Sequence, residues 1–195
     1  MSTSRFTPVA EEIAQIYGLS AVEYFAHGAF KETYRAETDA SEYYAIKIMD
    51  PGKCHPCRTE REIDAVKRCD SPYIARLLDH GVHQHGETGY LFVIEAFLFG
   101  GTLTQRCHAS TITPDNVLTY AKPLIEAIAH LKENDLVHRD IKPDNIMFEG
   151  EDGPPILVDF GLVRDLTMTS VTQTCLPQGP CTPLFAAPEQ LNNDK

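Results

Sequence analysis

The feature that most constrains this chain is a change of hydrophobic period at Gly100 and Gly101. Before it, the stretches "AVEYFAHG" (21–28), "FKETYRAE" (30–37) and "EYYAIKIM" (42–49) alternate apolar and polar residues, which is the spacing of half-buried strands. The turn residues "TDAS" join the last two, so the segment reads as an antiparallel meander. A short helix over residues 8–17, closed by Gly18, precedes it. After the Pro51-Gly52 break, Ile63 and Val66 sit among charges at helical spacing over residues 58–69, and "IARLLDHGV" (74–82) and "YLFVIEAF" (90–97) supply two more strands. Beyond the glycines the period becomes 3.6. Thr113 can cap a helix, Pro114 suits its first position, and Val117, Leu118, Ala121, Leu124, Ile125, Ile128 and Leu131 form one apolar stripe, interrupted by the bend expected at Pro123. The fold class expected is α+β, with a sheet-rich lobe over 1–99 and a helical lobe over 100–195.

With 195 residues and 43% hydrophobic residues the chain can bury a sizeable core. A net charge of -11 repels a nucleic-acid backbone, so no nucleic-acid partner is expected, and a bound nucleotide needs a local cationic site. No apolar run is long enough for a leader or a membrane span, which makes the cytoplasm the default location and a membrane an unexpected partner. The six cysteines read as reduced thiols; "CHPC" (54–57) has no second pair to complete a zinc site. His80, His83 and His85 in "HGVHQHG" read as a solvated turn marked by Gly81 and Gly86.

The chemistry concentrates in "LVHRDIKPDNIMF" (136–148), where six crowded polar residues and a proline interrupt two apolar runs. Asp140 and Asn145 lie five residues apart with Lys142 between them, and Asp159 ends the next short strand in "PILVDFG". Phosphoryl transfer needs a carboxylate to orient or deprotonate the attacking hydroxyl, oxygen ligands for a metal that bridges phosphates, and a cation on the transferring group. This loop holds each of those types.

In this order, "AIK", "HRDIKPDN", "VDFG" and "APE" resemble the motifs of the eukaryotic-like protein kinase family, and the match spans nearly the whole chain. The resemblance implies a two-lobed fold with an antiparallel N-lobe sheet plus one helix and an incomplete helical C-lobe. It also implies ATP and Mg²⁺ as cofactors and a protein substrate with a Ser/Thr acceptor. Carried over, it makes Asp140 the base for the substrate hydroxyl, Asn145 and Asp159 the metal ligands, and Lys47 the partner of the α and β phosphates. Glu62 is the expected carboxylate steadying Lys47, with Glu60 as the fallback. Lys142, two residues beyond Asp140, is similar to kinases acting on serine or threonine. A hinge at 94–99 would make Ile94 the gatekeeper and use backbone groups of Glu95 and Phe97 against adenine, with Ala45 above the ring and Met147 below. Residues 162–181 would form an activation loop carrying Thr167, Thr169, Ser170, Thr172 and Thr174, with Arg139 as the phosphate receiver, and Thr182 would sit near Asp140.

Two departures from the pattern shape the expectations. The family's glycine loop is reduced to "AHGAFKETY": only Gly28 remains, while Ala26, Lys31 and Thr33 stand at the other glycine and valine positions, so the phosphate lid is stiffer and nucleotide binding weaker. The sequence ends at Lys195, six residues past Glu189, where kinase domains continue for roughly a hundred residues more. Self-association through the apolar stripe, or a missing C-terminal segment, is the expectation that follows. The alternative functions are a pseudokinase or nucleotide-binding interaction module, against which the intact Lys47, Asp140, Asn145 and Asp159 speak, and a small-molecule phosphotransferase, which would not be expected to carry "HRDIKP" or "APE".

Overall fold

A computed structural model describes residues 4–28, 31–52, 67, 69–109, 112–159, 164–165 and 182–191. The chain divides into two units, Met1–Arg61 with Arg76–Phe97, and Glu62–Ala75 with Leu98–Lys195.

In the first unit, helix α1 (Thr7–Ile16) starts with a proline in its first turn and is ended by Gly18 at φ +65, a conformation costly for any residue with a Cβ. Strands β1 (Ser20–His27), β2 (Lys31–Glu37), β3 (Tyr43–Met49), β4 (Leu77–His85) and β5 (Thr88–Ala96) follow. They form one antiparallel sheet in the order β1-β2-β3-β5-β4. Alternation in β2 buries Glu32, Tyr34 and Ala36 and leaves their neighbours partly exposed. The register Tyr34↔Ile46 and Ile46↔Ile94 lines up a row that packs with Val9, Ala10, Ile13 and Ala14 of α1. The opposite face carries the row Thr33, Lys47 and Val93.

Buried Glu32 anchors the residues leading into α1. Its carboxylate accepts the backbone N–H groups of Arg5 and Phe6, each at 3.2 Å, and the Tyr34 hydroxyl at 2.6 Å. Burial acts to raise this carboxyl, but the hydrogen bonds from Tyr34, the two amides and Ser4 outweigh it and hold the group below the usual carboxylate range. Burial, followed by the Glu32 hydrogen bond, pushes the Tyr34 hydroxyl up to about 12. A carboxylate with a depressed folded-state pKa adds stability that is present above its unfolded value and lost as pH falls through its folded value. Thermal melts should therefore show Tm falling on acidification below the ordinary carboxylate range, and Glu32→Gln should lower Tm at neutral pH and flatten the acid limb. Parallel curves for the two proteins would contradict this.

The expected turn at His80, His83 and His85 is corrected: β4 continues through His85, and the turn begins at Gly86, at φ +61. Gly81 lies within the strand, opposite Phe92 of β5. His83 and His85 tie β4 to α1, reaching the Glu12 carboxylate at 2.7 Å and 3.0 Å. Hydrogen bonds from His83 first and His85 second hold the Glu12 carboxyl below its usual range.

In the second unit, α2 (Leu103–His108) and α3 (Pro114–Glu133) both begin with reciprocal capping boxes, Thr102 with Gln105 and Thr113 with Asn116. The short strands β6 (Leu136–Val137), β7 (Ile146–Phe148), β8 (Pro155–Leu157) and β9 (Arg164–Asp165) pair as β6-β9 and β7-β8. Helix α4 (Pro188–Leu191) closes the described chain. The core joins Ile74, Ala75, Leu98, Ala127, Leu131, Leu136, Ile146, Ile156, Leu157 and Val158.

The division falls at Phe97/Leu98, ahead of the glycine pair, and the described residues 69–75 group with the second unit rather than with the sheet lobe. The reason is visible at Ile74 and Ala75: the Ala75 amide donates to Leu157 O, the Leu157 amide donates to Tyr73 O, each at 2.9 Å, and both side chains lie in the second core. Gly100 serves a close approach, since a Cβ there would strike Gly150 O and the Phe148 backbone. The apolar stripe of α3 is only partly a core face. Ala127 and Leu131 are buried, whereas Val117, Leu118, Ile125 and Ile128 are exposed, although the helix packs on β6 and β8. No helix among the described residues is long and apolar enough to cross a membrane.

Candidate active site

The loop after β6 is built around a buried histidine. His138 is 2% exposed, and its Nε2–H donates to Val158 O at 3.0 Å. Nδ1 is then left to accept the Asp140 amide at 3.3 Å, which makes the ring a neutral tautomer, in keeping with burial lowering its pKa. The loop is thereby tied to the residue preceding Asp159.

Asp140 is the centre of the polar cluster. The Thr182 hydroxyl donates to Oδ1 at 2.6 Å, the Asn145 amide to Oδ2 at 2.9 Å, and the Lys142 ammonium lies 2.8 Å from Oδ2. Lys142 also donates to the Thr182 hydroxyl at 2.9 Å, closing the network. Burial acts to raise the Asp140 carboxyl, but the hydrogen bonds from Lys142 and Thr182, the Lys142 charge and the Asn145 bond outweigh it and keep the group below the carboxylate range. The result is an anion at neutral pH that already accepts a short hydrogen bond from an alcohol, the interaction required of a base for a hydroxyl substrate.

The backbone on either side is strained. Arg139 and Asp159 adopt φ +64 and +70, a region that costs a residue with a Cβ on the order of 1–3 kcal/mol and clusters at functional sites. The Arg139 carbonyl is held by Gln190 of α4 at 2.7 Å.

The donor set suits magnesium. Asn145 spends its amide nitrogen on Asp140, and among the described residues no donor reaches its Oδ1, so a hard oxygen is presented close to the Asp140 carboxylate. Asp159 supplies a carboxylate two residues after the β8 strand. No group of three His, Cys, Asp or Glu side chains able to hold a metal alone occurs among the described residues; magnesium is usually held by one or two carboxylates together with waters and substrate phosphates.

In the first unit, Lys47 of β3 is buried and forms an ion pair with Glu95 of β5, also buried. Ala45 lies on the same face, directly opposite Glu95. One expectation needs correction here. Ile94 does not share the face of Lys47: paired with Ile46, it is fully buried in the core beneath α1, because side chains alternate along β5. Glu95 lies within β5, which runs on to Ala96, and its carboxylate is turned to Lys47. The Phe97 amide is likewise committed, donating to Tyr43 O at 3.0 Å, while its ring packs edge-on against Phe25 with centroids 4.9 Å apart.

In the loop between β1 and β2, the Gly28 amide donates to Lys31 O at 2.8 Å, Lys31 pairs with Met49, and Thr33 lies between Ala26 and Lys47 in the ladder. Met147 of β7 is partly buried on the second core and bridges to Thr102. Glu62, its fallback Glu60, Cys54 and Cys57 lie outside the described residues, as does the 162–181 loop apart from 164–165.

Sequence reasoning missed His138, Gln190 and the side chain of Glu95. For Glu95 a signal was present, a lone carboxylate inside the apolar run "FVIEAF".

The family described as protein kinase domain matches residues 21–195, and the chain belongs to it. The five-stranded antiparallel sheet of the first unit and the α+β organisation are those of the fold expected for the family. The chain is 32% identical over 165 residues to serine/threonine-protein kinase AtPK2/AtPK19 of Arabidopsis thaliana, covering 80% of this chain and 34% of that protein. It is 29% identical over 194 residues to mitogen-activated protein kinase kinase 9 of the same organism, covering 92% and 60%. It is 28% identical over 187 residues to myosin light chain kinase A of Dictyostelium discoideum, covering 93% and 60%. The chain thus spans less than two thirds of the length of each of these relatives.

Proposed function

We propose that this chain is a serine/threonine protein kinase domain that transfers the γ-phosphoryl group of ATP, with Mg²⁺, to a hydroxyl of a protein substrate. The observation that carries the reading is the Asp140 network, an ionised carboxylate with a hydroxyl donor at 2.6 Å and an ammonium at 2.8 Å. Asp140 takes the place of the base that orients the acceptor hydroxyl and accepts its proton, and Lys142 supplies positive charge to the transferring phosphoryl group. Asn145 Oδ1 and the Asp159 carboxylate are the oxygens that would hold Mg²⁺, which when bound neutralises charge developing on the phosphates. In the first unit Lys47 is the cation for the α and β phosphates and Ala45 the apolar group for adenine, while Gly28, Lys31 and Thr33 form a phosphate lid with fewer glycines than the family pattern. Serine and threonine as acceptors rest on Lys142, two residues past Asp140, and on the printed names of the relatives.

Calorimetry tests the nucleotide part of this reading. ATP should bind to one site in Mg²⁺ and at least about tenfold more weakly after metal removal by EDTA or after Asp159→Ala. Equal affinity with and without the metal, or no binding at all, would overturn it.

A further inference from the structure

We propose that Glu95 is a positioning residue for Lys47, a carboxylate supplied by the sheet itself that holds the ammonium where the nucleotide phosphates bind. The inference rests on the reading of Lys47 as the phosphate-binding cation. Its ground is the buried ion pair between the two side chains, which are 8% and 5% exposed.

Lys47 stands opposite Val93, and Glu95 opposite Ala45, so the two charged residues are diagonal neighbours on one face of adjacent antiparallel strands. That spacing is within reach of long side chains. Both Cα positions are fixed by the ladder, and β3 is flanked on its other side by β2, so the pair is mounted on rigid backbone rather than on a loop. Packing does not call for a carboxylate here. Glu95 sits in the run "FVIEAF" between Ile94 and Ala96, where an apolar residue of similar volume would fill the space without the desolvation that a buried charge carries. What the charge adds is direction. A lysine ammonium has three donors, so a bond to Glu95 and a bond to a phosphate oxygen are compatible. The long, flexible lysine stem is thereby held before nucleotide arrives, and less side-chain freedom is lost on binding.

The test is a double-mutant cycle read with two ligands. Affinities for Mg·ATP, by calorimetry, and for adenosine, by NMR titration, are measured for the wild-type chain, Glu95→Gln, Lys47→Met and the double variant. Glu95→Gln should weaken Mg·ATP by about tenfold and change adenosine by less than about twofold, and its effect on Mg·ATP should vanish in the Lys47→Met background. Glu95→Asp, which keeps the charge on a shorter stem, should restore part of the lost ATP affinity. If Glu95→Gln does not fold, Glu95→Asp takes its place in the cycle, with a smaller loss that again depends on Lys47. An equal loss with and without Lys47, a parallel loss of adenosine, or tighter ATP binding in Glu95→Gln would overturn the inference; the last result would mean that the pair sequesters the lysine. If Lys47→Met alone leaves ATP affinity unchanged, the reading of Lys47 as the phosphate-binding cation fails and takes this inference with it.

Discussion

Replacing Asp140 with asparagine is expected to slow phosphoryl transfer by about 10²- to 10⁴-fold while Mg·ATP affinity stays within about twofold. The substitution is nearly isosteric, so the loop has no volume change to absorb. What changes is the chemistry at the centre of the network. An amide cannot take a proton from a hydroxyl, and its nitrogen cannot accept the bonds that Lys142 and Asn145 now direct at Oδ2. If Asp140 acts only on the acceptor hydroxyl, the loss falls on turnover and spares the nucleotide. Steady-state kinetics and calorimetry on the same preparation separate the two. Retained turnover would remove Asp140 from the role of base, and an equal fall in ATP affinity would make its role structural.

The second large effect is on stability. Phe148→Ala should destabilise the second unit by about 3–5 kcal/mol, a loss comparable to the whole stability of a marginal domain. The ring is fully buried, meets Tyr120 edge-on with centroids 5.0 Å apart, and carries the Arg106 guanidinium 3.5 Å from its centroid. Arg106 in turn donates to Gly150 O at 2.6 Å and to Gly100 O at 3.3 Å. Removing the ring leaves a cavity and takes away the surface that holds this clamp, three residues after Asn145. Denaturant unfolding measures it, and a loss below about 1 kcal/mol would show that the site collapses without cost.

Much of this architecture is legible because local rules and the global fold agree. Alternation marks β2 and β3, and Thr113 with Pro114 marks the start of α3, since capping and period depend only on neighbours in sequence. Where a property belongs to two elements at once, sequence reading loses it. Ile94 and Glu95 are adjacent, and which of them shares a face with Lys47 depends on the register between β3 and β5; a slip of one residue exchanges them. Gly81 reads as a turn, yet it lies inside β4, paired with Phe92 of the neighbouring strand. The stripe of α3 has helical period along its length, but period does not reveal that Val117, Leu118, Ile125 and Ile128 remain exposed. At the candidate site, residue types indicate a phosphoryl-transfer chemistry and the resemblance brings Thr182 near Asp140, whereas the hydrogen bonds by which Thr182, Lys142 and Asn145 close around Asp140 are a matter of geometry.

The central claim is that this loop moves a phosphoryl group to an aliphatic hydroxyl. The most direct measurement incubates the chain with γ-labelled ATP, Mg²⁺ and a peptide mixture containing serine, threonine and tyrosine, followed by acid hydrolysis and separation of the phosphoamino acids. The account predicts label in phosphoserine and phosphothreonine that disappears in Asp140→Asn; label in phosphotyrosine alone, or no transfer from a chain that binds Mg·ATP, would contradict it.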